Sequence, residues 1–117
     1  MNKVKKGKLG EERAISFLLK QGYQILEQNF RGPTGEIDIV AQMEKELIFV
    51  EVKTRKSLQF GTGREAVDIR KQNRIRKTAQ FYLIQTRSSL QPRFDVIEIY
   101  LKESHKNMEI SHLKGVF

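Results

Sequence analysis

Apolar positions along this chain recur in two rhythms, one close to helical spacing and one alternating every second residue. Over residues 8–21, Ala14, Ile15, Phe17, Leu18 and Leu19 form one broad apolar stripe, which predicts a helix. Gly22 is placed to end it. Residues 23–30 read as a strand, and Arg31-Gly32-Pro33-Thr34-Gly35 is a turn by composition. Residues 35–42 and 46–54 are rich in Ile, Val and Phe, as strands are, and the gap between them is short enough for a hairpin. A loop from Arg55 to Gly63 leads to a second helix at about residues 65–86. A further strand is predicted at 94–101, and a short last one at 107–112.

The order α-β-β-β-α-β-(β) predicts an α/β fold, with a mixed central sheet flanked by helices. In the hairpin, Ile37, Ile39 and Ala41 share one face with Ile48, Val50 and Val52. Val40, Leu47 and Phe49 share the other with the charged residues. Apolar residues on both faces suit strands covered on both sides. No internal repeat or low-complexity linker is visible, and 117 residues suit one domain over 1–117.

Composition narrows the function classes. With no cysteine, disulfides, zinc-thiolate sites and thiol nucleophiles are excluded. A net charge of +8 suggests an anionic partner. Nucleic acid leads, ahead of a membrane surface or an acidic protein; basicity serving solubility alone is the bland alternative. The basic start Met1-Asn2-Lys3-Val4-Lys5-Lys6 is followed by no apolar run of signal-peptide type, and no segment approaches membrane-spanning length. The expectation is a cytoplasmic protein with no membrane partner. No Walker loop, dinucleotide fingerprint or nucleophile elbow is present.

The chemistry concentrates in Gly35-Glu36-Ile37-Asp38-Ile39-Val40 and Leu47-Ile48-Phe49-Val50-Glu51-Val52-Lys53. A tight loop centred between Glu44 and Lys45 sets Asp38 opposite Glu51 and Glu36 opposite Lys53. Facing carboxylates repel, and a hard divalent cation between them would remove that cost. Lys53 shares the face of Glu51, where a lysine can orient or help deprotonate an attacking water. Glu36 is an outer ligand or a partner for Lys53. The plain alternative is a solvated hairpin face with a weak surface pair. Against that alternative stand Val40, Leu47 and Phe49, which would be exposed with it.

The first helix adds Glu11 and Glu12, beside Gly7 and Gly10. Glycines are costly in a helical turn unless another element approaches closely. Glu11 lies on the apolar stripe and wants a partner there, which the carboxylate site could supply. Compensation of the helix dipole is the competing role, and is preferred for Glu12. The second helix carries Arg64, Arg70, Lys71, Arg74, Arg76 and Lys77, with Arg55 and Lys56 before it and Ile69, Ile75, Ala79, Tyr82 and Leu83 as apolar contacts. Such a helix can hold phosphates while carboxylates hold a metal. His105 and His112 lack metal-ligand spacing and read as surface residues.

Taken together, Glu11, Asp38 and Glu51-Val52-Lys53 resemble the PD-(D/E)xK nuclease superfamily. Closer still, Gly7-x-x-Gly10-Glu11-x-x-Ala14, Gly35-Glu36-Ile37-Asp38 and Phe49-Val50-Glu51-Val52-Lys53-Thr54-Arg55 resemble the YraN-like family of candidate endonucleases. Phe60-Gly61, Glu65-Ala66-Val67 and Arg93-Phe94-Asp95-Val96 fit the same pattern. That family is similar to archaeal Holliday junction resolvases. The resemblance implies a restriction-endonuclease-like fold and a catalytic set of Glu11, Asp38, Glu51 and Lys53. It also implies Mg²⁺ or Mn²⁺ on Asp38 and Glu51. Phe30 stands where the family often has Trp, and Thr62-Gly63-Arg64 replaces a loop that often contains Pro. The reading is a metal-dependent endonuclease on DNA, branched or otherwise structured substrates included. Arg55, Lys56, Arg64, Arg70, Lys71, Arg74 and Lys77 form its nucleic-acid surface, and a homodimer is compatible with it. The rival is a non-catalytic nucleic-acid-binding module on the same fold; an adaptor for an acidic protein explains the charge but not the opposed carboxylates.

Overall fold

The computed structural model describes residues 3–55, 67–101 and 108–117. Helix α1 (Lys3–Lys20) precedes strands β1 (Gln24–Gly32), β2 (Gly35–Met43) and β3 (Glu46–Arg55). Helix α2 (Ile69–Thr86) and strands β4 (Gln91–Leu101) and β5 (Met108–Leu113) follow. The strands form one mixed sheet in the order β1-β2-β3-β4-β5, antiparallel except for β3 and β4. The parallel pair requires a crossover, and α2 lies in it. The expected α/β architecture with a mixed sheet is what the chain adopts. Among the described residues, no helix is long and apolar enough to cross a membrane.

Each helix covers one face of the sheet. Ala14 and Leu18 of α1 pack with Tyr23 on Ile39, Ala41, Ile48, Val50, Ile97 and Ile99. Ile75, Ala79 and Tyr82 of α2 pack on Ile37, Val40, Leu47, Phe49 and Val96. Phe49, 1% exposed, is the largest fully buried side chain among the described residues, and such burial contributes about 1.5–3 kcal/mol. The predicted apolar contact Ile69 is instead 63% exposed, at the solvent side of the first turn of α2.

The helix ends follow their sequence signals. Gly22 takes φ +94°, Tyr23 N–H donates to the Leu18 carbonyl and Gly22 N–H to that of Leu19, closing α1 with paired terminal bonds. The Asp68 side chain caps α2 by accepting from Lys71 N–H at 2.9 Å. Residues 65 and 66 of the predicted second helix lie outside the described residues, as do Phe60, Gly61 and His105.

One feature of β2 departs from the alternation. Ile37 and Ile39 are two apart yet belong to opposite cores, Ile37 to the one under α2. The β2–β3 ladder runs from Met43↔Glu46 to Ile39↔Val50 and stops. The two-residue loop at Glu44 and Lys45 sets the register the sequence implied, but the strands part at Asp38. Beyond that point β2 pairs with β1 alone, through Phe30↔Ile37, and is free to rotate. The expected shared face of Ile37 and Ile39 fails for that reason.

Candidate active site

The strands part around Asp38. Its Oδ2 accepts the backbone N–H of Val52 at 2.8 Å, where the ladder has ended. A carboxylate therefore stands in for a backbone acceptor and wedges the sheet open. Asp38 and Glu51 consequently do not meet as a ladder pair; they meet across the gap. Burial pushes Asp38 up first and the neighbouring Glu51 second, to about 7, with the Val52 bond opposing both.

Glu51 is 6% exposed, on the β3 face that α2 covers. Two ammonium groups reach it. Lys53 Nζ lies 3.7 Å from Glu51 Oε1, and Lys71, in the first turn of α2, makes a closer ion pair with the same oxygen. Burial lowers the Lys53 pKa, and the adjacent Lys71 ammonium lowers it further. For Lys71, burial acts in the same direction but is outweighed by Glu51, so its pKa rises.

Helix α1 enters through Gly10. A Cβ there would lie 2.1 Å from Thr54 Oγ1, so α1 sits against β3 at a distance only glycine permits without displacing Thr54. Gly7, by contrast, faces open space. The close approach carries Glu11 to the site, where burial raises its pKa, assisted by Glu36 and Glu51. Glu12 is exposed, but the expected compensation of the helix dipole is corrected: α1 begins at Lys3 and its first turn holds no acidic residue, so Glu12 lies well past the turn where the dipole acts. Asn29, in the left-handed region at φ 52°, turns its amide nitrogen to Glu11 at 3.3 Å and Glu36 Oε1 at 3.0 Å, the orientation its neighbours satisfy. Glu36 also pairs with Arg31 at 3.0 Å. The expected Glu36–Lys53 pairing is therefore replaced by Glu36–Arg31, because beyond Asp38 these strands have separated.

Two depressions of about 410 and 310 Å³ meet at Asp38, Glu51 and Lys71, which line both. One extends past Glu36 and Arg74 toward the β1–β2 turn, the other past Glu11, Lys53 and Thr54 toward α1. No group of three or more His, Cys, Asp or Glu among the described residues is gathered to hold an ion. The fit to a divalent ion is of another kind. The buried Glu51 and the half-buried Asp38 face one cleft, Glu51 raises the Asp38 pKa, and Mg²⁺ is commonly held by one or two carboxylates with water and substrate phosphate completing its shell.

The basic residues divide. Arg70, Arg74 and Lys77 are exposed on α2. Arg76 lies over the Phe117 ring at 5.4 Å. Lys56 and Arg64 fall outside the described residues. Arg55 donates through Nε to Glu98 Oε2 at 3.2 Å. Glu98 is fully buried, and its Oε1 has no hydrogen-bond partner among the described residues.

At the other end of β4 lies a second buried acid. Asp95 accepts two bonds from Arg93, at 3.0 and 2.8 Å, one from Gly115 N–H at 2.9 Å, and lies 2.7 Å from His112 Nε2. Arg93 continues to Tyr23 Oη and Glu46. The expected surface position of His112 is corrected: its side chain is 7% exposed, edge-on to Phe17 and Tyr23. Alternation could have found it, because His112 sits two past Ile110 on an edge strand. Asn29 gave no sequence signal; a left-handed residue within a strand is invisible to pattern.

The family model described as "Uncharacterised protein family UPF0102" matches residues 10–99, which span this site. The chain is 44% identical to a UPF0102 protein of Caldanaerobacter subterraneus, covering all of this chain and 98% of that protein. It is 46% identical to one from Dictyoglomus thermophilum and 45% to one from Clostridioides difficile, in both cases over the full length of each chain. The chain belongs to UPF0102, the YraN-like family.

Proposed function

We propose that this protein is a divalent-metal-dependent endonuclease acting on DNA, structured or branched DNA included. One observation carries the reading: the Asp38–Glu51 carboxylate pair, Glu51 buried and Asp38 half-buried, opens into a cleft beside two ammonium groups and a basic helix. Asp38 and Glu51 would hold Mg²⁺ or Mn²⁺, with Glu11 oriented toward the ion's water shell. When bound, the ion supplies Lewis-acid stabilisation of charge on the phosphate.

The chain's own groups do the rest. Lys53, half-buried with a lowered pKa, loses its proton more readily than a surface lysine, so its Nζ can take a proton from the attacking water. Water oxygen then bonds to phosphorus, the P–O bond to the departing sugar oxygen breaks, and that oxygen is protonated from solvent. Arg70, Arg74 and Lys77 hold flanking phosphates. The hydrogen bond from Val52 N–H fixes the Asp38 carboxylate before substrate arrives.

The test is a panel of linear and branched DNAs incubated with Mg²⁺ or Mn²⁺, for wild type and Lys53→Ala. Wild type should cleave at least one of them. Lys53→Ala should fall by about a hundredfold or more, the scale of one general-base or electrostatic contribution, while binding of ion and DNA survives. A wild type that binds DNA equally well with and without Lys53, and cleaves nothing on the panel, would reduce the protein to a binding module.

A further inference from the structure

Lys71 occupies an unfavourable place for a cation. It lies in the first turn of α2, where the helix dipole presents partial positive charge, and apart from the Asp68 cap no acidic residue shares that turn. Its side chain is nevertheless only 33% exposed and turns into the cleft, to the point where the two depressions meet. There it pairs with the buried Glu51 and sits against a second ammonium, that of Lys53. Helix dipole and burial both oppose a charge at that point. The carboxylates are what hold it there.

The charge balance sharpens the point. Asp38, Glu51 and Lys71 line both depressions, so two carboxylates and this ammonium share the point where they meet. Lys71 is the nearer of the two cations paired with Glu51 among the described residues. A divalent ion on Glu51 would contest the same oxygen and repel the ammonium. A lysine stem can swing by rotamer changes alone, and phosphate oxygens are the natural acceptors for a displaced ammonium in this cleft.

We propose that Lys71 is a built-in counter-ion of the carboxylate pair, holding Glu51 in the metal-free protein and passing to a substrate phosphate oxygen once a divalent ion is bound. The inference rests on the proposed metal-dependent function and gives Lys71 a role apart from the rest of the basic helix. It makes Lys71 a positioning residue whose two partners alternate. Metal loading and phosphate contact are thereby coupled through one side chain.

The test is Mn²⁺ titration without nucleic acid, by calorimetry, on wild type, Lys71→Met, Lys71→Arg and Arg74→Met. Lys71→Met should bind Mn²⁺ about tenfold more tightly than wild type, equivalent to about 1.4 kcal/mol. Lys71→Arg, which keeps the charge, should stay near wild type. Arg74→Met removes a cation of the same cleft that is not paired with Glu51, and should shift the affinity by less than about twofold. A Lys71→Met affinity equal to or weaker than wild type, or an equal gain from Arg74→Met, overturns the proposal. On wild type, the Lys71 ammonium resonance should move when Mg²⁺ is added; a resonance unmoved at saturation overturns it without recourse to a variant. Failure of the parent reading looks different. If neither wild type nor Lys71→Met binds Mn²⁺ in a manner abolished by Glu51→Gln, the metal site itself is lost, and this inference with it. If Lys71→Met binds tightly and no DNA is cleaved, the enzyme reading falls while the counter-ion role stands.

Discussion

Asp38, half-buried, and Asp95, fully buried, are aspartates of one sheet, and their surroundings push them in opposite directions. Asp95 is fully enclosed, and burial alone would raise its pKa. His112, the Arg93 guanidinium and Gly115 N–H outweigh that, and its pKa is lowered. Asp38 is less enclosed, yet burial and Glu51 raise it to about 7 against the Val52 backbone bond and the Lys71 ammonium. Burial therefore does not distinguish them; compensation does. Asp95 has its neutralising partners built in, and its role is to tie β4, β5 and the chain beyond them together. Asp38 is left with a deficit of positive charge at a place that opens to solvent. An incompletely compensated carboxylate beside a cleft is the arrangement expected of a site that awaits a ligand.

The largest effect should come from breaking the compensated side. Asp95→Ala leaves the half-buried Arg93 and the buried His112 side chain without their shared carboxylate, and should lower unfolding stability by about 3–5 kcal/mol, measured by urea denaturation. A loss under about 1 kcal/mol would mean that the network is surface decoration and the contrast is false.

The next effect is a matter of pH. Because the folded pKa of Asp38 is raised, its contribution to stability is present below pH 3.8 and is lost as pH rises toward about 7. Asp95, lowered, behaves oppositely: its contribution is present above pH 3.8 and is lost as pH falls through its folded value. In chelator-treated protein, Asp38→Asn should match wild type at low pH. At pH 8 it should be more stable, by about 2–4 kcal/mol at most, because a neutral amide no longer repels Glu51. Parallel stability curves for wild type and variant across that range would remove the case for an uncompensated pair.

The smallest effect concerns the cleft's approach. Arg70 and Arg74 are exposed on α2, so converting both to Gln should weaken DNA binding and lower the slope of log affinity against log salt by about two. An unchanged slope would place the nucleic-acid surface away from the cleft, and separate Asp38 from any polyanion.

Much of this molecule is legible without coordinates. Ala14 and Leu18 at helical spacing, Gly22 after them, and the β-rich runs on either side of Glu44 and Lys45 were sufficient for the elements and the hairpin register. The E-x-K spacing put Glu51 and Lys53 on one face by strand geometry alone. Such features depend on neighbours within a few residues, and periodicity encodes them. Glu11 could be assigned to the core stripe of its helix, but not to a destination.

What the tertiary structure decided is how far strands stay together and which distant charges meet. No pattern within β2 says that its ladder with β3 stops at Ile39, because that depends on the Asp38 carboxylate taking the Val52 N–H fourteen residues away. The rotation of Ile37, the loss of a Glu36–Lys53 pair and the gap between carboxylates all follow from it. Likewise Lys71 reads in sequence as one more cation on a basic helix, and His112 as one more polar residue near the C-terminal end. Their partners, Glu51 and Asp95, lie twenty and seventeen positions away. Charge pairing of that range is settled by how the crossover and the edge strand dock on the sheet, and local periodicity carries no record of docking.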